Sequence, residues 1–158
     1  MKKGLEAVIS MVAGIAAGVV VSNYLSQKRI DEKSQKVDKF KSYYGMLNQW
    51  LALRQEGRNL SEYFESHAYK TVAIYGMGEM GNRLYEELQG SSISVKYGID
   101  KNAVFPESDL KIVDLEEKLE DVDIIVVTAI FAFDEIEEQL MLKTDCEIKS
   151  LEDIVYET

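Results

Sequence analysis

Residues 71–90 read TVAIYGMGEMGNRLYEELQG, and this stretch joins an apolar run to a glycine-rich loop. The apolar, β-branched run at 71–75 predicts a short strand that is buried on both faces. The loop at 76–81, GMGEMG, has the spacing G-x-G-x-x-G, and leucines one helical turn apart follow it as far as Gly90. A strand, a glycine loop and a helix in this order are typical of the first unit of a dinucleotide-binding α/β fold.

Strand and helix patterns continue to alternate downstream of this stretch. We predict strands at 93–100, 111–113, 124–130 and 146–149, and helices at 115–121, 134–143 and after Ser150. The nearly unbroken apolar run IIVVTAI at 124–130 is expected of a central parallel strand. The alternation predicts an α/β fold with a Rossmann-like, doubly wound parallel sheet of about five strands in the order 3-2-1-4-5.

The glycine loop and the carboxyl ends of the predicted strands together indicate a ligand site. Gly76 makes the tight turn, Gly78 lets a pyrophosphate approach the backbone, and Gly81 allows the helix to pack closely on the strand. Backbone N–H groups at the start of the helix would face the phosphates, and Asp100 would accept hydrogen bonds from ribose hydroxyls. The expected cofactor-binding residues are Gly76, Met77, Gly78, Glu79, Met80, Gly81, Asp100, Lys101, Thr128, Ala129 and Ile130.

Two charged residues in this set have alternative interpretations. Glu79 places a carboxylate in the loop that should receive an anion, so it points away, meets a ligand hydroxyl, or stabilises the helix dipole where no ligand binds. Lys101 either approaches a 2′-phosphate or is an ordinary surface lysine. The candidate ligands are NAD, NADP and a nucleotide-sugar, and the spacing of His, Cys, Asp and Glu predicts no metal site.

Residues 7–25 form an apolar segment without a charged side chain. At about 1.5 Å per residue, this length is just sufficient to cross a hydrocarbon core of about 30 Å. We predict an uncleaved transmembrane anchor over 1–27, with a signal peptide and a buried helix of a soluble protein as the alternatives. Six Lys/Arg follow the segment within about 20 residues, against two lysines before it, which predicts a single-pass protein of the cell membrane with a cytoplasmic C-terminal domain.

Small residues recur every four positions within this segment, at Ser10, Gly14, Gly18 and Ser22. Such a face lets two transmembrane helices approach closely. Self-association is therefore one interpretation, and the general abundance of Gly and Ala in such helices is the other.

Residues 28–68 are expected to form a helical connector that leads to the α/β domain at 69–158. Apolar side chains spaced alternately by three and four form a stripe of two heptads, at Val37, Phe40, Tyr44, Leu47 and Leu51. The stripe either pairs with another helix as in a coiled coil or docks on the protein's own α/β domain. Gly57 is expected to end this helix before a short one at 60–66.

The net charge of −10 is unevenly distributed along the chain. Residues 1–58 carry ten Lys/Arg and five Asp/Glu, whereas residues 59–158 carry eight and twenty-three. An acidic domain argues against nucleic acid as a partner, and the basic first part suits the cytoplasmic face of a membrane. The single Cys146 excludes an internal disulfide, and the single His67 excludes a catalytic scheme that needs two imidazoles.

Three segments, TVAIYGMGEMGNRLYEELQG, VKYGIDKN and DVDIIVVTAI, resemble the Rossmann-type domains of bacterial surface-polysaccharide proteins, which occur alone or joined to glycosyltransferases. These domains are similar to the nucleotide-binding part of nucleotide-sugar dehydratases, and the stretch LNQWLALRQEGRNLSEYF is similar to their helical lead-in. The resemblance implies NAD(P) or a nucleotide-sugar as ligand. It also implies a glycosyltransferase or another polysaccharide-assembly protein as partner.

The residues from Thr71 onward are enough for the nucleotide-binding half of a dehydrogenase, and the sequence there predicts no segment that would supply substrate-holding or proton-transfer groups. Tyr97 and Lys101 match the Tyr-x-x-x-Lys pair of short-chain reductases, but they cross the predicted end of a strand. The predicted function is a membrane-anchored cytoplasmic binding module, accessory or regulatory to surface-polysaccharide biosynthesis. The alternatives are an NAD(P)-dependent oxidoreductase subunit completed by a partner chain, and an interaction scaffold without a ligand.

Overall fold

The computed structural model describes residues 27–28, 33–34, 36–101 and 110–158, and the chain divides into two compact units, Met1–Tyr44 and Gly45–Thr158. Every described residue of the first unit is helical. The predicted anchor lies outside the described residues except for Gln27, and its small-residue face at Ser10, Gly14, Gly18 and Ser22 lies outside them too. Among the residues described, no helix has the length and apolar character needed to cross a membrane.

The second unit is built on a parallel β-sheet whose central strands are filled with apolar side chains. In the described part of the chain the strands are β1 (Thr71–Tyr75), β2 (Ser94–Ile99), β3 (Ile112–Val113), β4 (Ile124–Val127) and β5 (Glu147–Ser150). They lie in the order β3-β2-β1-β4-β5, and each neighbouring pair is parallel. The α/β class, the parallel sheet and the predicted strand order are confirmed, and the arrangement is consistent with a Rossmann-like fold.

Helices alternate with these strands. The described helices of this unit are α1 (45–55), α2 (Ser61–Ser66), α3 (Glu79–Leu88), α4 (Phe133–Met141) and α5 (Leu151–Glu157), with a 3₁₀ turn at Ile130–Ala132. α3 buries Leu84 and Leu88, as the spacing of its leucines predicts. At the start of α5 the Ser150 hydroxyl oxygen accepts the backbone N–H of Glu152 at 3.2 Å. This cap satisfies one of the N–H groups that a helix start leaves without an intrahelical partner.

The prediction of a helix at 115–121 is wrong. This segment consists of turns and irregular backbone, although Leu115 and Leu119 are buried. At its start the Asp114 carboxylate accepts the backbone N–H of Glu116 at 2.9 Å. Such a local bond between side chain and backbone competes with helix formation. The helix-like spacing of the leucines therefore arises from an irregular segment that is packed against the core.

The strand predicted at 124–130 is shorter in the structure and ends at Val127. Val127 is paired with Tyr75, the last residue of β1, so the ladder between β1 and β4 ends there. The apolar residues that follow pass into the 3₁₀ turn that begins at Ile130. The apolar run of the sequence thus continues beyond the point at which the neighbouring strand turns away.

α1 packs on the α/β domain through a face formed by Met46, Trp50 and Leu53, each of which is at most 6% exposed. The indole Nε1 of Trp50 donates to Oε2 of Glu87 at 2.6 Å. The other carboxylate oxygen of Glu87 accepts the backbone N–H of Leu60 at 2.7 Å. Because Glu87 belongs to α3, one carboxylate joins α1, the chain before α2, and α3.

The two residues of the apolar stripe that belong to α1 lie on a different face of this helix. Leu47 and Leu51 of α1 are 39% and 56% exposed, so the interpretation that the stripe docks on the α/β domain is wrong for these two residues. Val37, Phe40 and Tyr44 of the first unit are also exposed. The face that does dock has the same spacing of three and four, which is why the sequence pattern alone did not separate the two faces.

Candidate functional site

The predicted site residues gather at the carboxyl ends of three neighbouring strands. The glycine loop leaves β1, Asp100 and Lys101 follow β2, and residues 128–130 follow β4. Because β1 lies between β2 and β4 in a parallel sheet, the three segments meet at one edge. This edge is the position at which open α/β sheets bind their ligands.

Gly76 makes the turn out of β1 in a conformation that a side chain would oppose. Its φ of +88° lies in the left-handed region that favours glycine. A Cβ at this position would lie 2.8 Å from Oγ1 of Thr128, and that hydroxyl donates to the carbonyl oxygen of Gly76 at 2.6 Å. The turn is therefore closed tightly against the end of β4.

Gly81 and Gly78 have opposite surroundings, although both belong to the glycine loop. A Cβ on Gly81 would overlap the carbonyl oxygen of Gly76, so α3 approaches the loop more closely than a side chain permits. At Gly78 no atom lies within 4 Å of the Cβ position, and φ is −77°. Neither packing nor backbone conformation requires a glycine there, and the missing side chain keeps open the space at the start of α3.

Asp100 is held in place by the glycine loop itself. Its Oδ2 accepts the backbone N–H of Met77 at 2.8 Å. The side chain of Met77 is buried and packs over β2, where a Cβ on Gly98 would lie 2.6 Å from Cγ of Met77. Met77 therefore contributes to the predicted site through its backbone and to the core through its side chain.

The remaining predicted site residues divide between this edge and other surroundings. Glu79 is the first residue of α3 and is exposed, and Lys101 is exposed directly after β2. Ala129 is half-buried, whereas Ile130 is buried at the start of the 3₁₀ turn. Met80 lines a groove between α1 and α3. The structure thus brings together the loop backbone, Asp100 and the end of β4, and it places the Met80 side chain beside α1.

Tyr75 at the end of β1 experiences the charge of Asp100 and of two carboxylates that sequence reasoning missed, Asp114 and Glu135. Burial raises the pKa of the Tyr75 phenol, and the negative charges of Asp100, Asp114 and Glu135 raise this pKa further. Asp114 directly follows β3, and Glu135 lies in the first turn of α4. The carboxyl edge of the sheet is therefore acidic near Tyr75. The available signal was the position of Asp114 directly after a predicted strand.

Different residues of this edge suit different parts of a nucleotide. The open start of α3 suits a phosphate, because the first turn of a helix has backbone N–H groups without intrahelical partners. The Asp100 carboxylate suits ribose hydroxyls. Near Tyr75 the negative charges of Asp100, Asp114 and Glu135 disfavour an anion, whereas the exposed Lys101 directly after Asp100 favours one.

Cys146 and His67 lie before β5 and β1, at the amino ends of the strands and away from the glycine loop. Burial raises the pKa of the Cys146 thiol, which favours its protonated form. The imidazole of His67 stacks on the Tyr69 ring at a centroid distance of 5.7 Å. Within the described ranges, His, Cys, Asp and Glu side chains form no group of three that could hold a metal ion.

The chain was compared with protein-family models, curated proteins and solved structures, and none of them matches it. Its parallel sheet and glycine loop are therefore interpreted from their own geometry. The residues that can carry a functional proposal are those at the carboxyl ends of β1, β2 and β4.

Proposed function

We propose that the unit Gly45–Thr158 is a nucleotide-binding module in which NAD or a nucleotide-sugar lies across the carboxyl ends of β1, β2 and β4. The observation that carries this proposal is the contrast among three glycines. Packing requires Gly76 and Gly81, whereas Gly78 faces open space at the start of α3. A pyrophosphate in that space meets the backbone N–H groups of the helix start.

Asp100 supplies the second half of the recognition. Its carboxylate accepts the backbone N–H of Met77 at 2.8 Å and is thereby oriented at the mouth of the loop. A ribose with two free hydroxyls donates hydrogen bonds to such a carboxylate. A 2′-phosphate would instead place its negative charge beside the Asp100 carboxylate, which is held at the loop by Met77. We therefore expect NAD to bind more tightly than NADP.

The module acts by binding its ligand in support of a partner protein. A membrane anchor before the module, and a glycosyltransferase or another polysaccharide-assembly protein as the partner, remain predictions from the sequence and its resemblance. Under this proposal the nucleotide is sensed or presented, and it is not consumed by the isolated chain.

A ligand-free interaction scaffold is the second candidate, and one contact favours it. The backbone N–H of Met77 is already satisfied by Asp100, so the loop is held in place without a ligand. The exposed Glu79 at the start of α3 also offers a negative charge to the helix dipole. Under this alternative no nucleotide changes the stability of the chain.

Thermal unfolding of the full chain with NAD, NADP, a UDP-sugar or coenzyme A distinguishes these candidates. A ligand at about one hundred times its Kd adds about 2.7 kcal/mol to the free energy of unfolding. We expect NAD or the UDP-sugar to raise the midpoint and NADP to do so less. The absence of a shift with every ligand would contradict nucleotide binding and support the scaffold. Oxidation of NADH that depends on an added partner chain would instead support the oxidoreductase alternative.

Asp100→Asn tests the ribose contact directly. The asparagine keeps an oxygen that accepts the N–H of Met77 but loses the charge, so we expect nucleotide affinity to fall about tenfold with the fold preserved. The matched control is Asp121→Asn, because Asp121 is exposed and lies near Cys146 at the other edge of the sheet. An equal effect of both substitutions would contradict a role for Asp100 in recognition.

A further inference from the structure

We propose that the exposed face of α1, together with the groove beside it, forms a contact with a second copy of this chain. α1 already uses one face, with Met46, Trp50 and Leu53, to pack on its own domain. Leu47 and Leu51 remain exposed on another face. This contact is independent of nucleotide binding, because it involves neither the Gly78 backbone nor the carboxyl ends of the strands.

The groove beside these leucines has a volume of about 520 Å³ and lies between α1 and α3. Its apolar lining includes Leu47, Trp50, Leu51 and Met80. Arg83 and Glu86 also line it, and they form an exposed ion pair at 3.0 Å. An apolar centre that contains Trp and Met, with Arg and other charged groups around it, is the composition of a protein–protein interface.

The distribution of charge determines where a second copy can approach. Residues 42–53, SYYGMLNQWLAL, contain no charged side chain, whereas residues 59–158 carry eight Lys/Arg and twenty-three Asp/Glu. Two copies of so acidic a domain repel each other over most of their surfaces. The uncharged helix is where they approach with the least repulsion. Beside it, Arg83 of each copy can pair with Glu86 of the other in a two-fold arrangement.

The spacing of apolar residues favours the same occupant. The alternation of three and four that is typical of a coiled coil runs through this part of the sequence, at Val37, Phe40, Tyr44, Leu47 and Leu51. In a parallel pair each of these side chains meets its own counterpart, so the seam is self-complementary. Two heptads are fewer than the three or four of a self-sufficient coiled coil. The groove that contains Trp50 and Met80 therefore has to contribute to the contact.

Disulfide cross-linking of the full chain tests the position of the contact. In a Cys146→Ser background, Leu51→Cys is expected to form an intermolecular disulfide at least about tenfold faster than Ala52→Cys, because adjacent residues are turned about 100° apart around a helix. A dimer held only by the apolar segment at 7–25 would give equal rates at the two positions. Equal rates, or no cross-link at Leu51→Cys, would overturn the proposal.

Sedimentation of the full chain in a non-ionic detergent supplies a second readout. We expect a dimer of the 17.9 kDa chain and at least about tenfold weaker dimerisation for Leu51→Glu. Gln49→Glu is the matched control, since it adds the same charge on another face of α1 and should leave dimerisation unchanged. The far-ultraviolet circular dichroism spectrum of Leu51→Glu should match the wild type, because Leu51 is exposed on the chain's own surface and its replacement leaves the fold intact. A monomeric wild type, or a dimer that Leu51→Glu does not weaken, would overturn the proposal.

Discussion

Gly78→Asp is expected to separate ligand binding from folding. The new side chain enters the space at the start of α3, where no atom lies within 4 Å of the Cβ position. The backbone φ of −77° is allowed for any L-residue, so no strain results. The aspartate places a fixed negative charge where we propose that a pyrophosphate binds. Nucleotide affinity should therefore fall by at least about a hundredfold.

The same substitution should stabilise the ligand-free protein. Gly78 is the N-cap residue of α3, and an aspartate at an N-cap is better than glycine by a few tenths of a kcal/mol because it accepts a first-turn N–H. Replacement of a glycine in a compatible conformation also restricts the unfolded chain, which adds about 0.4–1 kcal/mol. A total of about 1 kcal/mol corresponds to a rise in midpoint of about 4 °C.

Thermal unfolding with and without nucleotide measures both effects in one experiment. The wild type should respond to the nucleotide identified by screening, whereas Gly78→Asp should have a higher ligand-free midpoint and no response to the ligand. Gly78→Ser is the control for charge, since it offers a neutral cap and should weaken binding less. A variant that unfolds at a lower temperature than the wild type, or that binds nucleotide as tightly, would refute the reasoning.

Three further substitutions test the packing and the electrostatics of the fold. Gly81→Ala should lower the free energy of unfolding by about 1–3 kcal/mol, measured by urea denaturation, because its Cβ would overlap the Gly76 carbonyl oxygen. An unchanged urea midpoint would argue against the close approach of α3. Glu87→Ala should cost about 1–3 kcal/mol because the Trp50 indole loses its acceptor, and a red-shifted emission of this single tryptophan should report the looser packing of α1. Asp123→Asn should cost less than about 1 kcal/mol at neutral pH, because Asp123 is exposed and solvent screens its charge, while backbone N–H groups at the start of β1 hold its pKa below its usual value of 3.8. That difference from the wild type should be complete above about pH 5 and should shrink as the pH falls through the lowered pKa; a difference independent of pH would contradict the assigned cause.

The sheet could be predicted because a strand that is buried on both faces consists of consecutive apolar residues, and such runs are visible in the sequence. β4 is buried at all four of its positions, and the sequence there is IIVV. The glycine loop after β1 then marks a crossover into a helix, which allows few arrangements of the following strands. The end of β4 could not be predicted from its own residues, because it depends on where the neighbouring strand β1 turns away.

The places of the site residues could be predicted, but the directions of their side chains could not. Gly76 and Gly78 are placed by the turn that follows β1, and Asp100 by the end of β2, and both features are visible in the sequence. Met77 and Met80 stand three positions apart in the same loop, yet one packs over β2 and the other lines the groove beside α1. Which surface a methionine covers depends on elements that are distant in the sequence.

The two apolar faces of α1 show a different limit. The exposed residues and the docked residues both follow a spacing of three and four, so a single helix carries two seams that have the same pattern. The burial of Met46, Trp50 and Leu53 and the hydrogen bond between Trp50 and Glu87, which are 37 positions apart, show which seam faces the domain. A hydrogen bond between residues so far apart in the sequence cannot be predicted from the local spacing of apolar residues.

Of the strands that the structure describes, β1 is the first to be synthesised, and yet it occupies the centre of the sheet. Its partner strand on one side, β4, is complete only when Val127 has been added to the chain. At about 5–20 residues per second, the ribosome needs roughly 3–10 s to extend the chain from Tyr75 to that point. During this interval the apolar β1 has no strand to pair with on that side, so neighbouring nascent chains on a polysome can compete for it. Residues 76–123 carry twelve Asp/Glu and five Lys/Arg, and the repulsion between such negatively charged segments opposes this competition.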